Sequence, residues 1–243
     1  MQCYRTVPLA EAVALSADAY GNLYVGDKQG NIHAYDSLGN YRLTYSPTEV
    51  AQVSLLDARA TVRIFAFYRE LQRFDLLNRF LTPIETYRFQ LPEIGFVRMA
   101  TLAADNSLWI YDDSNFSLKK FDKKFNYVLL QTDLSLIFSG AYLDIVQMLE
   151  YQNQLFLLAS NFGILRFDNI GNFINRIPTH TPCFALGGDA IFFYDAGNVI
   201  KQNLYTGERA LLSFSTPLTE LRGLTIVGNS IVTLEENSLR FWR

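Results

Sequence analysis

Residues 12–45 read AVALSADAYGNLYVGDKQGNIHAYDSLGNYRLTY. The apolar run Ala12-Val13-Ala14-Leu15 leads to Ala19-Tyr20-Gly21-Asn22, and Leu23-Tyr24-Val25 to Asp27-Lys28-Gln29-Gly30. Ile32-His33-Ala34-Tyr35 then runs into Asp36-Ser37-Leu38-Gly39-Asn40, followed by Tyr41–Tyr45. Gly and Asn accept the positive φ that tight turns need, and the alternation between them suits strands with one face buried. The stretch predicts four short strands joined by turns. Asp36, directly behind an aromatic, can accept backbone N–H groups of its own turn, which explains the residue without catalysis.

The pattern returns along the chain. Aromatic-Asp or a relic of it recurs around Tyr35, Phe74, Phe121, Phe167, Asn203 and Phe241, at spacings of 39, 47, 46, 36 and 38 residues. Second strands can be followed at Leu23–Val25, Val62–Phe65, Leu108–Tyr111, Leu155–Leu158, Ile191–Tyr194 and Ile231–Leu234, several of them apolar throughout, as strands buried on both faces are. Inner strands are expected near Val13, Val53, Val97, Val146, Phe184 and Leu224. Repeats of this length built from four strands predict an all-β, six-bladed β-propeller of antiparallel blades, one closed unit over residues 1–243.

Prolines agree with this assignment. Pro8, Pro47, Pro92, Pro178, Pro182 and Pro217 fall between one blade and the next, where no ladder donor is needed; Pro83 lies in the long turn before blade two's outer strand. The last copy ends at Arg243 without an outer strand, while Cys3-Tyr4-Arg5-Thr6-Val7 belongs to no other blade. The N-terminal strand is therefore expected to complete blade six and close the ring.

Composition narrows the function. A net charge of −3 offers no general attraction to nucleic acid, and no apolar run reaches the length of a membrane span. The start, Met1-Gln2-Cys3-Tyr4, lacks the regions of a signal peptide, so the chain is expected to be either cytoplasmic or a mature domain whose leader was removed. Cys3 sits in an outer strand and Cys183 in an inner one, beyond the reach of a disulfide.

Ala14–Asp27, continuing through Ile32–Gly39, resembles the repeats of NHL-type six-bladed propellers, which favour an inner strand, Gly-Asn, a Tyr-Val strand, Asp, and later aromatic-Asp with Gly behind it. The resemblance is good in blade one, fair in blades three and four, and specifies architecture with no activity. The Asp-Ser-Leu-Gly-Asn turn is also similar to envelope proteins of the Bacteroidota, whose single propellers often serve as secreted or periplasmic accessory modules. The resemblance implies a periplasmic, secreted or envelope-associated protein.

Residues with chemistry are sparse. His33 reads as a strand residue and His180 as a loop residue, neither with metal-binding neighbours. No phosphate loop or nucleophile elbow is present. Some six-bladed relatives hold a catalytic calcium with Glu, Asn and Asp on the axis; here the inner strands are apolar with Arg98 and Arg222 nearby, which speaks against such a cage. No catalytic residue, metal or cofactor is expected.

Asp27, Asp112, Asp113, Asp195, Glu235 and Glu236 should share one face as an acidic rim or as ordinary turn residues. Lys119, Lys120, Lys123 and Lys124 read as a solvated blade edge.

Two irregular segments are the best candidates for contact with another protein. Leu76–Ile84 is apolar where other blades have a polar turn, offering Leu77, Phe80 and Leu81. Leu134–Leu143 lengthens a blade connection, offering Leu136, Ile137, Phe138 and Tyr142, with a short capping helix expected, on the opposite face. The Phe67-Tyr68-Arg69 turn of blade two shares the second segment's face. The leading expectation is a non-catalytic interaction module in a multi-protein cell-envelope assembly. The alternative is a propeller enzyme or binding protein acting on a small molecule or glycan at the axis.

Overall fold

Strand β1 (Cys3–Pro8) is separated in sequence from the sheet it joins, and the rest of the chain is laid out blade by blade in a computed structural model that describes residues 1–60 and 62–243. Blade one holds β2 (Ala12–Ala17), β3 (Leu23–Asp27), β4 (Ile32–Tyr35) and β5 (Tyr41–Tyr45); blade two holds β6 (Leu55–Asp57), β7 (Ile64–Tyr68), β8 (Arg73–Leu77) and β9 (Pro83–Arg88). Blade three is β10 (Val97–Leu102), β11 (Leu108–Asp112), β12 (Ser117–Asp122) and β13 (Tyr127–Asp133), followed by helix α1 (Leu134–Phe138). Blade four is β14 (Ile145–Tyr151), β15 (Gln154–Ala159), β16 (Gly163–Asp168) and β17 (Phe173–Ile177). Blade five is β18 (Phe184–Gly187), β19 (Ala190–Asp195), β20 (Asn198–Asn203) and β21 (Arg209–Leu212); blade six is β22 (Gly223–Val227), β23 (Ser230–Glu235) and β24 (Ser238–Trp242), completed by β1.

Six four-stranded antiparallel sheets result, and β1 pairs with β24 from Cys3↔Trp242 to Pro8↔Ser238, closing the ring as the orphan strand required. Second strands β3, β7 and β11 are buried along their whole length, because each packs between neighbouring blades. Outer strands such as β5, β9 and β13 alternate between exposed and half-buried residues. Pro83 opens β9, an edge strand, where its missing N–H costs the ladder nothing.

The turns explain much of the repeat. Asp-x-x-Gly-Asn occurs at 18–22, 27–31, 36–40 and 168–172. In each the Asp side chain accepts two backbone N–H groups and the Asn side chain donates back to it, as where Asp36 accepts from Leu38 at 3.0 Å and Asn40 at 2.8 Å. Burial alone would raise the Asp36 and Asp168 carboxyls; these hydrogen bonds outweigh it and hold both below the usual range.

Blade two departs from the expected alignment. Its second strand is Ile64–Tyr68 rather than Val62–Phe65, and Ile64 pairs with Leu77 just as Leu23 pairs with Tyr35. The place of the turn Asp is taken in this blade by Asn78, whose amide oxygen accepts from Phe80 N at 2.8 Å and Thr82 N at 3.0 Å. Phe74-Asp75 only imitates the repeat. Asp75 lies inside β8, buried, accepting from Tyr45, Thr86 and Arg73. The same register places Gln202 and Trp242, not Asn203 and Phe241, at the aromatic position of blades five and six.

The two cysteines are free: Cys3 is half-buried and Cys183 is buried. Burial pushes the Cys183 thiol up to about 12. Alkylation needs the thiolate, so iodoacetamide at about pH 8 is expected to label Cys3 alone in native protein and both cysteines in urea. Mass spectrometry counts the adducts; two adducts on native protein would contradict this.

Candidate functional site

The strand register divides the surface into two faces. One carries the blade-to-blade connections and the turns between second and third strands, and is called here the connection face. The other carries the remaining turns, and is called the turn face.

On the connection face the expected acidic rim is largely consumed inside the chain. Asp27 accepts from Gln29, Asn31 and the His33 ring; Asp112 pairs with Lys119 at 2.7 Å; Asp113 lies 3.5 Å from Arg98. Glu235 accepts from Thr219 and pairs with Arg240, and Glu236 lies 3.4 Å from Arg222. Only Asp195 of the set is both exposed and outside these ion pairs and hydrogen bonds among the described residues. Burial would raise Asp27, but hydrogen bonds from Asn31, His33 and Gln29 hold it below the usual carboxylate range. His33 is a cross-strand pin: it lies opposite Thr44, with Nδ1 2.8 Å from the Thr44 hydroxyl and Nε2 3.2 Å from Asp27.

The lysine cluster is a solvated edge only at exposed Lys124. Lys119 and Lys120 are buried, Lys119 against Asp112 and Lys120 2.7 Å from Asp105 and over the Trp109 ring. Their ammonium groups reach inward turn carboxylates, which the linear sequence does not reveal. Lys123 pairs with Glu85.

The candidate contact residues separate by burial. Phe67, Tyr68, Leu77 and Leu81 are in the core, contrary to the exposed loops expected of them. Phe67 and Tyr68 finish β7 instead of forming a turn, and the Tyr68 hydroxyl donates to Gly30 O at 3.1 Å. Leu77 occupies the aromatic position of the repeat. Leu81 takes the left-handed position (φ 56°) that Gly39 holds in blade one, with its side chain inward. Arg69 is half-buried, its N–H donating to Ser54 Oγ at 3.1 Å. Phe80 is exposed at the turn tip.

The segment after β13 builds the other candidate surface. Asp133 caps α1, accepting from Ser135 N at 2.9 Å, and the helix ends at Ser139 in the left-handed region. Leu134 is buried; Ile137 and Phe138 are half-buried, with Phe138 edge-on to Phe162 and Phe173 of blade four. Leu136 is 83% exposed and Tyr142 58%, so this short helix cannot hide its own apolar side. Arg98 binds this segment to blade three. It pairs with Asp144, donates to Ile145 O at 3.2 Å, reaches Asp113 and lies 5.9 Å from the Tyr142 ring centre. Asp113 N in turn donates to the carbonyl of exposed Phe96. Arg98, whose side chain is 17% exposed, and Tyr142 thus meet across blades three and four, and exposed Phe96 is held to the same turn through its carbonyl.

The axis is narrow, with apolar side chains and polar groups both facing it. At the connection face a channel of about 70 Å³ runs between Val13, Leu55, Val146, Cys183 and Leu224, with Arg222 at its mouth. It widens to about 250 Å³ at the turn face among Leu15, Leu56, Leu149, Phe184 and Ile226. Gln147 on its wall clamps Phe184 of the neighbouring blade, donating to its carbonyl and accepting its N–H, each at 2.9 Å. Among the described residues no group of three or more His, Cys, Asp or Glu could hold a metal ion.

Phe80 aside, sequence reasoning missed a ring of apolar tips on the turn face. Leu38, Phe80, Phe125, Ile170 and Tyr205 each stand exposed at a third-to-fourth-strand turn, and Tyr20 joins them in blade one. The signal was available: in the Asp-x-x-Gly-Asn turns they are the residue before Gly. A groove of about 260 Å³ lies between Tyr20 and Phe80, with Arg42 and Arg79 beside it.

No family model matches this sequence, and no curated protein matches it. Solved structures do. The β-propeller domain of Cps50 (Swd1) from Myceliophteria thermophila aligns over 99% of this chain and 98% of its own, with a TM-score of 0.72 at 10% identity. A streptogramin B lyase aligns over 98% of this chain and 84% of its own, with a TM-score of 0.66 at 15% identity. A catalytically inactive virginiamycin B lyase from Staphylococcus aureus with quinupristin covers 98% of both chains, with a TM-score of 0.68 at 13% identity. At these identities the likeness is one of fold.

Proposed function

We propose that this propeller is a non-catalytic interaction module that binds another protein through the blade three–four side of its connection face. The observation that carries the reading is the contact of Arg98 with exposed Tyr142 on this side, with Phe96 and Leu136 exposed in the segments that carry them. An aromatic against a mostly buried arginine is the composition of an interface centre, whereas isolated exposed apolar residues need no explanation. The β-propeller fold generally supports such use, presenting rigid loops on both faces of a disc. Work within a cell-envelope assembly belongs to this proposal and rests on the blade-one resemblance to NHL-type repeats and Bacteroidota envelope propellers. No helix among the described residues is long and apolar enough to cross a membrane.

The test is affinity purification from the native host with the tagged chain and a Leu136→Asp/Tyr142→Ala variant. Both side chains are exposed, so the melting temperature should move by no more than about 2 °C. The expected result is a specific protein recovered with the wild-type chain and reduced about tenfold or more with the variant. Recovery of the chain alone, or of the same partner at the same level with both baits, would overturn the reading.

The widened axial mouth favours one second reading, a pocket for a small molecule or glycan. Structural neighbours that are lyases by name are compatible with it. Bulky closure of that mouth by Ala185→Phe should then abolish ligand binding and leave the partner untouched.

A further inference from the structure

A second cleft lies off the axis on the turn face, where the first turns of blades two, three and four meet. It encloses about 380 Å³, within the range of small-molecule sites. Its floor is apolar, made by Phe65, Leu102 and Ala103, and its walls are polar. Two carboxylates line it, and both are already engaged. Asp57 takes a two-pronged ion pair from Arg59, at 2.8 and 2.6 Å. Glu150 accepts from Ala104 N at 2.9 Å and from the Trp109 indole at 2.5 Å. Arg59, spent on Asp57, lies 5.8 Å from the Tyr151 ring centre and forms a rigid side wall.

Arg63 is different. It lines the same cleft and is half-buried, yet no carboxylate lies within ion-pair distance of it among the described residues. Every carboxylate on the cleft is bound to another donor, so the guanidinium of Arg63 is the group left with fork-shaped donor capacity facing the cavity. Asn153, exposed on the same wall, sits in a two-residue left-handed turn with Gln152 (φ 58° and 49°), which fixes its backbone at the cleft's rim. A guanidinium in this position is suited to a planar, bidentate anion, and the floor beneath it to an apolar body.

We propose that this cleft binds a small organic acid, its carboxylate on Arg63 and its apolar body on Phe65, Leu102 and Ala103. This site is separate from the protein-binding patch, which lies on the opposite face, so either can fail without the other.

The probes are phenylacetate, 3-phenylpropionate and 4-phenylbutyrate, each against its primary amide, titrated into the full chain by calorimetry. At least one acid should bind about tenfold or more tightly than its amide, the margin of a charge-assisted bidentate contact. Arg63→Gln should erase that preference while leaving the melting temperature in place, since no partner in the fold is lost; Arg79→Gln, a turn-face arginine outside the cleft, should preserve it. Failure of all three acids to bind in the millimolar range would overturn the proposal. So would equal binding of acids and amides, or a preference that survives Arg63→Gln.

Discussion

A chain lacking Met1–Pro8 is expected to lose cooperative folding or to melt at least about 10 °C lower, and to aggregate as its concentration rises. The β1 residues are mostly exposed, so their loss removes little buried apolar area. What goes is pairing. Five register pairs join β1 to β24, and Gln2 and Arg243 exchange two further backbone hydrogen bonds, at 2.8 and 3.1 Å. At about 0.5–1.5 kcal/mol net for each bond, several together approach the whole stability of an ordinary domain. The strand also ties blade six to blade one: Arg5 donates to Gly39 O at 3.3 Å and to Asn40 Oδ1 at 3.0 Å. Without it β24 becomes an open edge carrying Phe241 and Trp242, a template for intermolecular pairing. A rescue separates lost pairing from general damage. Arg243 lies beside Gln2, so residues 1–8 re-attached behind Arg243 through a short Gly-Asn turn should re-form the hairpin and restore the melting temperature. A deletion that melts with the wild type, or a permutant that stays as weak as the deletion, would show that closure by β1 is not what holds the ring.

That strand was legible because its need was visible from both ends of the sequence. Blade one was legible for a local reason: its turns spell out Asp, Gly and Asn at fixed offsets, and each of those residues has its own backbone duty. Blade two was misread because Phe74-Asp75 has the right composition three residues too early. The true turn uses Asn78 for Asp and Leu81 for Gly, both chemically competent and neither conspicuous. A shift of two residues kept the strand's alternation but moved Phe67 and Tyr68 from a turn into the core. Exposure of an apolar residue therefore cannot be read until register is known.

The candidate surfaces show the same limit from the other side. Leu136 and Tyr142 were identified because their segment is longer than a connection requires, which is a local signal. The Arg98 contacts to this segment join residues 44 to 47 positions apart, and no periodicity announces that. The cleft around Arg63 draws on three blades at once. In the sequence Arg63 looked like one polar position in a strand; only the packing of blade four's turn against it gives it a cavity to face.

Asp112→Ala is expected to cost about 3–5 kcal/mol, because it strands a buried ammonium. The Lys119 side chain is 2% exposed and Asp112 not at all, with Nζ 2.7 Å from Oδ2. Lys119 has two other acceptors, Glu93 O at 2.6 Å and Ile94 O at 3.4 Å; these are neutral carbonyls and cannot replace the charge. Asp112 also organises its turn, accepting from Ser114 N at 2.9 Å and from the Asn115 side chain at 2.7 Å. Lys119→Met should cost less than Asp112→Ala, since the carboxylate keeps those donors. Combining Lys119→Met with Asp112→Asn should recover much of the loss: the amide oxygen still accepts from Ser114 N and no charge is left buried. The pocket leaves no room for a different solution. Gly95 has φ +70°, and a Cβ there would lie 2.2 Å from Asp112 Oδ1, so the loop 92–95 can close over the pair only with glycine at that position. Urea midpoints of Asp112→Asn, Lys119→Met and the double variant that combines them form the test. Strict additivity of the two losses would mean that the ion pair is not what positions this loop, and the stability of the blade-three edge would then have to come from its apolar contacts alone.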